Sequence, residues 1–312
     1  MRSAFVESIC LAYLLGAQNE DGGWGFHEGS ASRAEPTAWA LIALVEFAST
    51  PAHEEASSRA VQFLGAAQLS DGSWPSTPQM VEGSWVTSLA CLALLGRKEF
   101  SQNVARGIGW LCMELPGEAK LFRRVVRSVM AKRTQSTQND SYFGWSWTRG
   151  TASWVEPTSY AILLLRNAPP ELLSGDAKRR LGIGETMLYD RMCPGGGWNC
   201  GNPMVYGVPG EPQMSSTAWA LLALIEHPER PEIQESLAWL EGNTKSIQSP
   251  GSLSLAAIAM NAYGRRDPLL TDSLRAMYEA KEIFWNVPEV AWAAMATGGA
   301  PNWLNPKSGG KS

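Results

Sequence analysis

The sequence predicts an all-α fold, an (α/α)6 toroid in which about six helical hairpins close into two concentric rings. Three observations predict it. A Gly-rich turn followed by an apolar segment recurs roughly every 50 residues. The apolar segments, such as TAWALIAL, consist mainly of helix formers and lack the alternation of strands. The segment before the turn, such as RAVQFLGAAQ, is amphipathic, so we expect it on the outside of the ring.

The units follow one another along the whole chain. The first runs from Gln18 through DGGWGF to TAWALIAL, and the second from RAVQFLGAAQ through DGSW to SWVTSLACLALL. After a longer insertion the third keeps GWSW and EPTSYAILLL, and the fourth keeps CPGGGWNCG and SSTAWALLAL. Two degenerate units carry SLSLAAIAM and EVAWAAMAT. We therefore expect one toroid domain over residues 1–305 and a flexible tail over residues 306–312.

The starts of the helices also have signals. Pro36 and Pro157 are expected in the first turns of inner helices, where a missing N–H costs nothing. Ser215 or Ser216 is expected to cap the equivalent helix of the fourth unit. The opening MRSAFVESICLAYLLGAQ has an apolar middle, but Glu7 interrupts it, so we expect the first helix of the fold and not a targeting sequence.

Composition limits the function. The chain has 312 residues with 45% hydrophobic and 18% charged residues, which allows a large core. A net charge of -4 argues against a nucleic-acid partner. No apolar run approaches the roughly 20 residues that span a bilayer. Five cysteines without a CxxC pair and three isolated histidines predict reduced thiols, a cytoplasmic location, no metal and no cofactor.

One repeat resembles a known motif. The stretch RAVQFL followed by Gln68 and GSW resembles the QW repeat of squalene–hopene and oxidosqualene cyclases, and the first unit, from Ala12 to Trp24, resembles it almost as well. Protein prenyltransferase β subunits share this toroid with looser repeats. The resemblance covers nearly the whole chain and implies a toroid around a central cavity.

The chain departs from these families in three ways. Squalene cyclases pair two toroids, whereas this chain has length for one. Their acidic DxDD motif does not occur here. A set of Asp, Cys and His that would match the zinc ligands of prenyltransferases is also missing.

Seven of the 14 tryptophans fall into two groups of aligned or neighbouring positions. We expect the QW residues to join adjacent units by packing and indole N–H bonds: Gln18, Trp24, Gln68, Trp74 and Trp198. We expect the aromatics of the inner helices to line the cavity, where their faces can stabilise a cation; the alternative is packing between the two rings. These are Trp39, Trp85, Tyr160, Trp219 and Trp292.

Two glutamates are the candidate acids. Glu35 and Glu156 each precede Pro-Thr at the start of an inner helix. Aligned on that Thr, each falls on the middle Asp of DxDD, which the resemblance implies is the acid. The alternative is a glutamate favoured by the positive end of the helix dipole, which would lower its pKa unless burial dominates.

Two further segments lie near the predicted mouth. The loop TQNDSYFGWSWTRGTASW is placed to cover the cavity. The cations before it suit a diphosphate or an acidic membrane surface, with a solvated helix face as the alternative: Arg123, Arg124, Arg127, Lys132 and Arg133.

Three functions remain open. The first is a terpene cyclase-like enzyme that binds an isoprenoid in the cavity and protonates it with a glutamate. The second is a catalytically silent toroid that binds an isoprenoid or lipid, contacts a membrane surface, or joins a partner subunit. The third is a carbohydrate-active α/α barrel with paired carboxylates and sugar-stacking Trp, which the QW resemblance disfavours.

Overall fold

The computed structural model describes residues 4–119, 138–247, 249–280 and 285–299. A π-helical segment, Val6–Leu11, opens it. In chain order the α-helices of the described residues are α1 (Ala12–Gly16), α2 (Ala34–Phe47), α3 (Pro51–Ala66), α4 (Val86–Leu94), α5 (Ser101–Met113), α6 (Val155–Asn167), α7 (Gly175–Asp190), α8 (Met214–Ala223), α9 (Pro231–Asn243), α10 (Pro250–Ala262), α11 (Pro268–Glu279) and α12 (Val287–Gly298).

Short elements occupy some of the connections. Strands β1 (Met204–Val205) and β2 (Val208–Pro209) pair antiparallel between α7 and α8. The 3-10 turns are Lys98–Phe100, Gly117–Ala119, Pro170–Leu172 and Thr244–Ser246. Within the described ranges, no helix combines the length and apolarity needed to cross a membrane.

The helices form a closed double ring. Each even-numbered helix contacts the next even-numbered one, and α12 contacts α2, so six inner helices close the circle. The odd-numbered helices pack outside them: α3 on α2, α5 on α4, α7 on α6, α9 on α8 and α11 on α10. The π-helical segment packs on α12 and α2 and completes the outer layer. The predicted fold class, with about six hairpins, is confirmed.

The inner helices are buried on nearly every side. Between Pro36 and Leu44 every residue of α2 is buried, and the same holds for α4 over its whole length. Alanine alternating with leucine allows such close approach, because the small side chains leave room for the neighbouring helices.

First-turn residues of different inner helices lie close together. Ser216 on α8 bonds Glu156 on α6, and the charge of Glu156 acts on Glu35 of α2. Gly251 on α10 lies next to Glu289 on α12. These N-termini therefore lie at one end of the ring.

The start of α8 differs from the prediction. Its N-cap residue is Gln213, and no side chain caps the helix. Ser216 lies in the first turn, and its hydroxyl donates to Glu156 Oε1 on α6 instead. The expected cap at Ser215 or Ser216 is therefore wrong, because an acceptor on the adjacent inner helix takes the hydroxyl. Pro36 and Pro157 do lie in the first turns of α2 and α6.

The turn tryptophans join each outer helix to the inner helix that follows. Their indole N–H groups donate to a carbonyl near the end of the outer helix: Trp24 to Leu14 (2.7 Å), Trp74 to Leu64 (2.7 Å), Trp145 to Leu111 (2.9 Å) and Trp198 to Leu188 (2.6 Å). Their main-chain N–H groups donate to the threonine hydroxyl in the first turn of the inner helix: Thr37, Thr87, Thr158 and Thr217. The sequence pattern alone does not place Trp145 in this group.

The two glutamines extend this connection to the next unit. Gln18 donates to the carbonyl of Gly22 and to that of Ala56 on α3, both at 2.9 Å. Gln68 donates in the same way to Gly72 (2.8 Å) and to Asn103 on α5 (2.9 Å). Each glutamine thus binds its own turn to the outer helix of the following unit.

The second turn passes so close to α5 that only glycine fits. Gly72 has φ +93°, and a Cβ there would lie 2.8 Å from the carbonyl oxygen of Arg106. We expect Gly72→Ala to lower the free energy of unfolding by about 1–3 kcal/mol, since it adds backbone strain and a clash. At Gly109, inside α5, a Cβ would point into open space. Gly109→Ala should therefore raise the free energy of unfolding by about 0.5–1 kcal/mol. Urea unfolding followed by circular dichroism measures both, and equal effects would contradict the argument.

Candidate active site

The aromatic side chains of the inner helices meet in the middle of the ring. Trp39 on α2 contacts three of them, with ring centroids 6.1 Å from Tyr160, 5.2 Å from Trp219 and 5.6 Å from Trp292. Tyr160 and Trp219 are 4.9 Å apart. Trp85, the N-cap residue of α4, stacks on Tyr160 at 5.4 Å. We call these five residues the aromatic cluster.

The rings of the aromatic cluster pack against one another, and three of them are buried. Trp39, Trp219 and Tyr160 are 0%, 2% and 4% exposed. The sequence pattern selects residues that meet in the structure, and their role in lining a cavity stays a prediction. Here the rings contact one another, because five large side chains from a circle of six helices meet at its centre.

Two donors in the cluster have no acceptor. The indole N–H groups of Trp39 and Trp292 are buried and make no hydrogen bond to the described residues. A buried donor left unsatisfied costs about 1–3 kcal/mol. The QW tryptophans of the turns all donate, so this feature distinguishes the cluster from the structural tryptophans.

The loop before α6 reaches the cluster. Trp147 packs edge-to-face on Trp85 with centroids 4.7 Å apart. We predict that this loop covers the mouth of the cavity; its first residue, Thr137, lies outside the described part of the chain. The basic stretch Arg123, Arg124, Arg127, Lys132 and Arg133 lies outside it as well.

Glu35 lies above the cluster at the start of α2. It is partly buried, and burial raises the pKa of its carboxyl to about 7. The guanidinium of Arg33 opposes this rise, and the negative charge of Glu156 adds to it. Burial thus raises the pKa of this carboxyl, whereas the positive end of the helix dipole would lower it. Near neutral pH a substantial fraction of Glu35 carries its proton.

Glu156 occupies the corresponding position on α6. It is partly buried, and burial raises the pKa of its carboxyl, while the hydrogen bond from Ser216 (3.3 Å) lowers it. The two glutamates flank Trp85, which holds the equivalent position on α4, the helix between them. Both also raise the pKa of the Tyr160 hydroxyl, whose main cause is burial. The two carboxyls and Tyr160 thus share one electrostatic environment.

Glu289 is a third carboxyl at this end of the ring, and sequence reasoning missed it. It lies in the first turn of α12, where burial raises its pKa and His27 opposes the rise. A Cβ on Gly251, at the start of α10, would lie 2.9 Å from its carboxyl carbon. Glu289 comes one residue before the position that aligns with Thr37, whereas Glu35 comes two before it. Because of this shift of one residue, aligning the repeats on Thr37 does not pick out Glu289 in the degenerate sixth unit.

Metal-binding groups do not assemble within the described residues. No group of three His, Cys, Asp or Glu there could hold a metal ion. All five cysteines are free thiols. The groups that do assemble at this end of the ring are carboxyls and aromatic rings.

Sequence comparison finds matches to part of the chain. A profile of the squalene–hopene cyclase C-terminal domain matches residues 2–84. Over 66 residues the chain is 46% identical to drimenyl diphosphate synthase of Streptantibioticus cattleyicolor. That stretch is 21% of this chain and only 12% of the relative, so the chain spans a small part of that protein's length.

Structural comparison extends over nearly the whole chain. A structure of the type II terpene cyclase MstE from Scytonema with its substrate, geranylgeranyl dihydroxybenzoate, has 15% identity and a TM-score of 0.56; the match covers 96% of this chain and 95% of that one. An α-amylase from Clostridium perfringens has 12% identity and a TM-score of 0.54, over 94% and 97%. At such identities the likeness shows the fold alone. Together with the matched repeats, it confirms the predicted resemblance of this chain to the α/α-toroid superfamily of the squalene–hopene cyclases.

Proposed function

We propose that the protein is a terpene cyclase-like enzyme that binds an isoprenoid at the N-terminal end of the inner ring and protonates it with Glu35. The observation that carries this proposal is a partly buried carboxyl with a pKa of about 7 above a cluster of aromatic rings. The squalene–hopene cyclase profile and the substrate complex of the Scytonema cyclase support an isoprenoid as the guest.

The proposed reaction needs one proton at its start. The O–H of Glu35 breaks, and its proton forms a C–H bond with the π electrons of a terminal alkene, which leaves a tertiary cation. The next alkene attacks that cation and closes a ring. Loss of a proton from the final cation restores the carboxyl, so the net reaction is an isomerisation. Aromatic faces near the chain would stabilise the cation by about 0.5–2 kcal/mol each.

A catalytically silent binder of the same isoprenoid is the alternative. A guest must rest on top of the aromatic cluster or displace some of its rings. The unpaired indole N–H groups of Trp39 and Trp292 support displacement, because an oxygen on the guest could accept from them. Binding without product would select this alternative.

A carbohydrate-active function is less well supported, although an α-amylase shares the fold. Sugars stack on aromatic faces that are open to solvent, whereas Trp39, Trp219 and Tyr160 are at most 4% exposed. Starch therefore serves as the control substrate.

The decisive experiment separates these functions. Purified protein is incubated with farnesyl diphosphate, geranylgeranyl diphosphate and squalene, and the extracts are examined by mass spectrometry for cyclised products of unchanged mass. Binding of the same compounds is followed by quenching of tryptophan fluorescence. Product supports the enzyme, quenching alone supports the silent binder, and neither would overturn an isoprenoid function.

We expect a defined pH dependence of product formation. The pKa of Glu35 is raised from 4.5 to about 7, so its proton is present below pH 7 and is lost as the pH rises through that value. The initial rate should be highest below pH 7 and fall about tenfold per unit well above it. Rates measured from pH 5 to pH 9 test this. A rate that rises with pH would instead indicate a carboxylate base.

The cellular setting stays a prediction. Five free thiols are typical of a reducing compartment, which supports a cytoplasmic location. Contact with a membrane surface or with a partner subunit also stays open, because the basic stretch that suggested the membrane lies outside the described residues.

A further inference from the structure

The hydroxyl of Ser216 has an unusual acceptor. Ser159 and Ser254, in the first turns of α6 and α10, donate to the carbonyl four residues earlier in their own helix, at 2.8 Å from Val155 and 2.7 Å from Pro250. Ser216 donates across to a neighbouring helix, at 3.3 Å from Glu156 Oε1. At 2% exposure, Ser216 is shielded from competing water.

The repeats show that this hydroxyl is specific to the fourth unit. Ser216 holds the position directly before the first-turn threonine of its inner helix. In the first and third units that position is a proline, Pro36 and Pro157. The fourth unit also has Ser215 where the first and third have a glutamate. It therefore supplies no acid but supplies a donor to the acid of the third unit. Glu35 has no corresponding hydroxyl, since α4 starts with Trp85 and Val86 beside it.

We infer that Ser216 is a positioning residue that holds Glu156 as a hydrogen-bonded carboxylate, so that Glu35 is the protonated carboxyl of the two. A hydrogen bond to the charged form of a carboxyl favours that form. The charge of Glu156 then makes ionisation of Glu35 less favourable. The first and third units, alike in sequence, thereby take different roles.

The surrounding charges agree with this division. Glu35 on α2 interacts with Glu156, and Arg33 at the N-cap of α2 interacts with Glu35. Tyr160 lies one turn below Glu156 on α6. Cys200 approaches from the loop that precedes α8, and burial raises the pKa of its thiol. Of these groups Arg33 is the cation, and it acts on Glu35. The hydroxyl of Ser216 is thus the described donor that stabilises Glu156.

The test measures the two carboxyls and needs no substrate. Side-chain carboxyl signals of protein labelled with ¹³C-glutamate are followed by NMR against pH, and Glu35→Gln and Glu156→Gln assign them. In Ser216→Ala we expect the pKa of Glu156 to rise by about 0.5–1 pH unit, because one hydrogen bond is lost. The pKa of Glu35 should fall, because its neighbour is less often charged.

Controls isolate the hydroxyl. Ser216→Thr keeps the O–H and should restore both titrations, whereas Ser159→Ala loses only a bond within its own helix and should leave them unchanged. Unshifted titrations in Ser216→Ala, or equal shifts in Ser159→Ala, would overturn the inference. If Ser216→Ala fails to fold, Ser216→Cys replaces it with a weaker donor and should shift the titrations in the same direction.

The inference deepens the proposed function, since the acid role of Glu35 rests on it. The two can still fail separately. If the carboxyl titrations shift in Ser216→Ala but no cyclised product forms, the positioning role of Ser216 is supported and the proposed cyclisation is refuted. If cyclised product forms but the carboxyl titrations are unchanged in Ser216→Ala, the cyclisation is supported and the positioning role of Ser216 is refuted.

Discussion

Replacing Glu35 by glutamine should lower the rate of cyclisation by about 10²–10⁴-fold, the contribution of a positioned general acid. Glutamine has nearly the same shape as glutamic acid but cannot supply the proton. Because the aromatic cluster is untouched, binding of the isoprenoid should persist. The measurements are product formation by mass spectrometry and binding by tryptophan fluorescence, on the same preparation.

Two further glutamates make the comparison specific. Glu156→Gln should lower the rate less, because it removes the neighbouring charge and not the proton donor. Glu54→Gln changes an exposed carboxyl in the first turn of α3 and should leave the rate unchanged. Wild-type rates in both Glu35→Gln and Glu156→Gln would end the glutamate hypothesis.

Removing the side chain of Trp74 should destabilise the ring by about 3–5 kcal/mol, the usual cost of truncating a fully buried Trp. Trp74 is 0% exposed, and its indole N–H bonds the carbonyl of Leu64 at 2.7 Å. Trp74→Ala loses both the packing and the bond. Urea unfolding of wild type and variant measures the difference, read as the change in the transition midpoint and slope.

Intermediate and surface variants separate the two contributions. Trp74→Phe keeps most of the ring but leaves the carbonyl without its donor, so its loss should be smaller than that of Trp74→Ala. Leu269→Ala, at a side chain that is 70% exposed, should change stability by less than about 0.5 kcal/mol. A loss in Trp74→Ala no larger than in Leu269→Ala would mean that the turn tryptophans do not hold the units together.

Sequence reasoning reached the fold because every unit carries its own local signals. A Gly-rich turn, a tryptophan after it and an apolar helix recur, and even the degenerate units keep the apolar stretches that become α10 and α12. Four residues of the aromatic cluster hold aligned positions in their units, Trp85 lies just before the second inner helix, and all five meet in space. Repetition makes position in the sequence a guide to position in the ring.

The details of the site depend on neighbours that the pattern does not reveal. An inner helix is apolar all round, so its sequence does not tell whether Trp39 borders a hollow or packs against Trp219. The pKa of Glu35 follows from burial and from Glu156, which lies 121 residues later in the chain. The sequence predicts Ser216 as a helix cap because serine is common at N-cap positions. Its acceptor in the structure, Glu156, lies on the adjacent helix and is not visible in the local sequence.

The contact between α12 and α2 has a consequence for how the molecule comes apart. In an open array of repeats the end units fray first, and the remainder keeps its structure. Here the first and last units are each other's neighbours, tied by the N–H of Val287 to the carbonyl of Phe26 at 2.8 Å. Unfolding of one hairpin exposes the apolar surfaces of the two hairpins beside it. We therefore expect all six hairpins to unfold together in one cooperative transition.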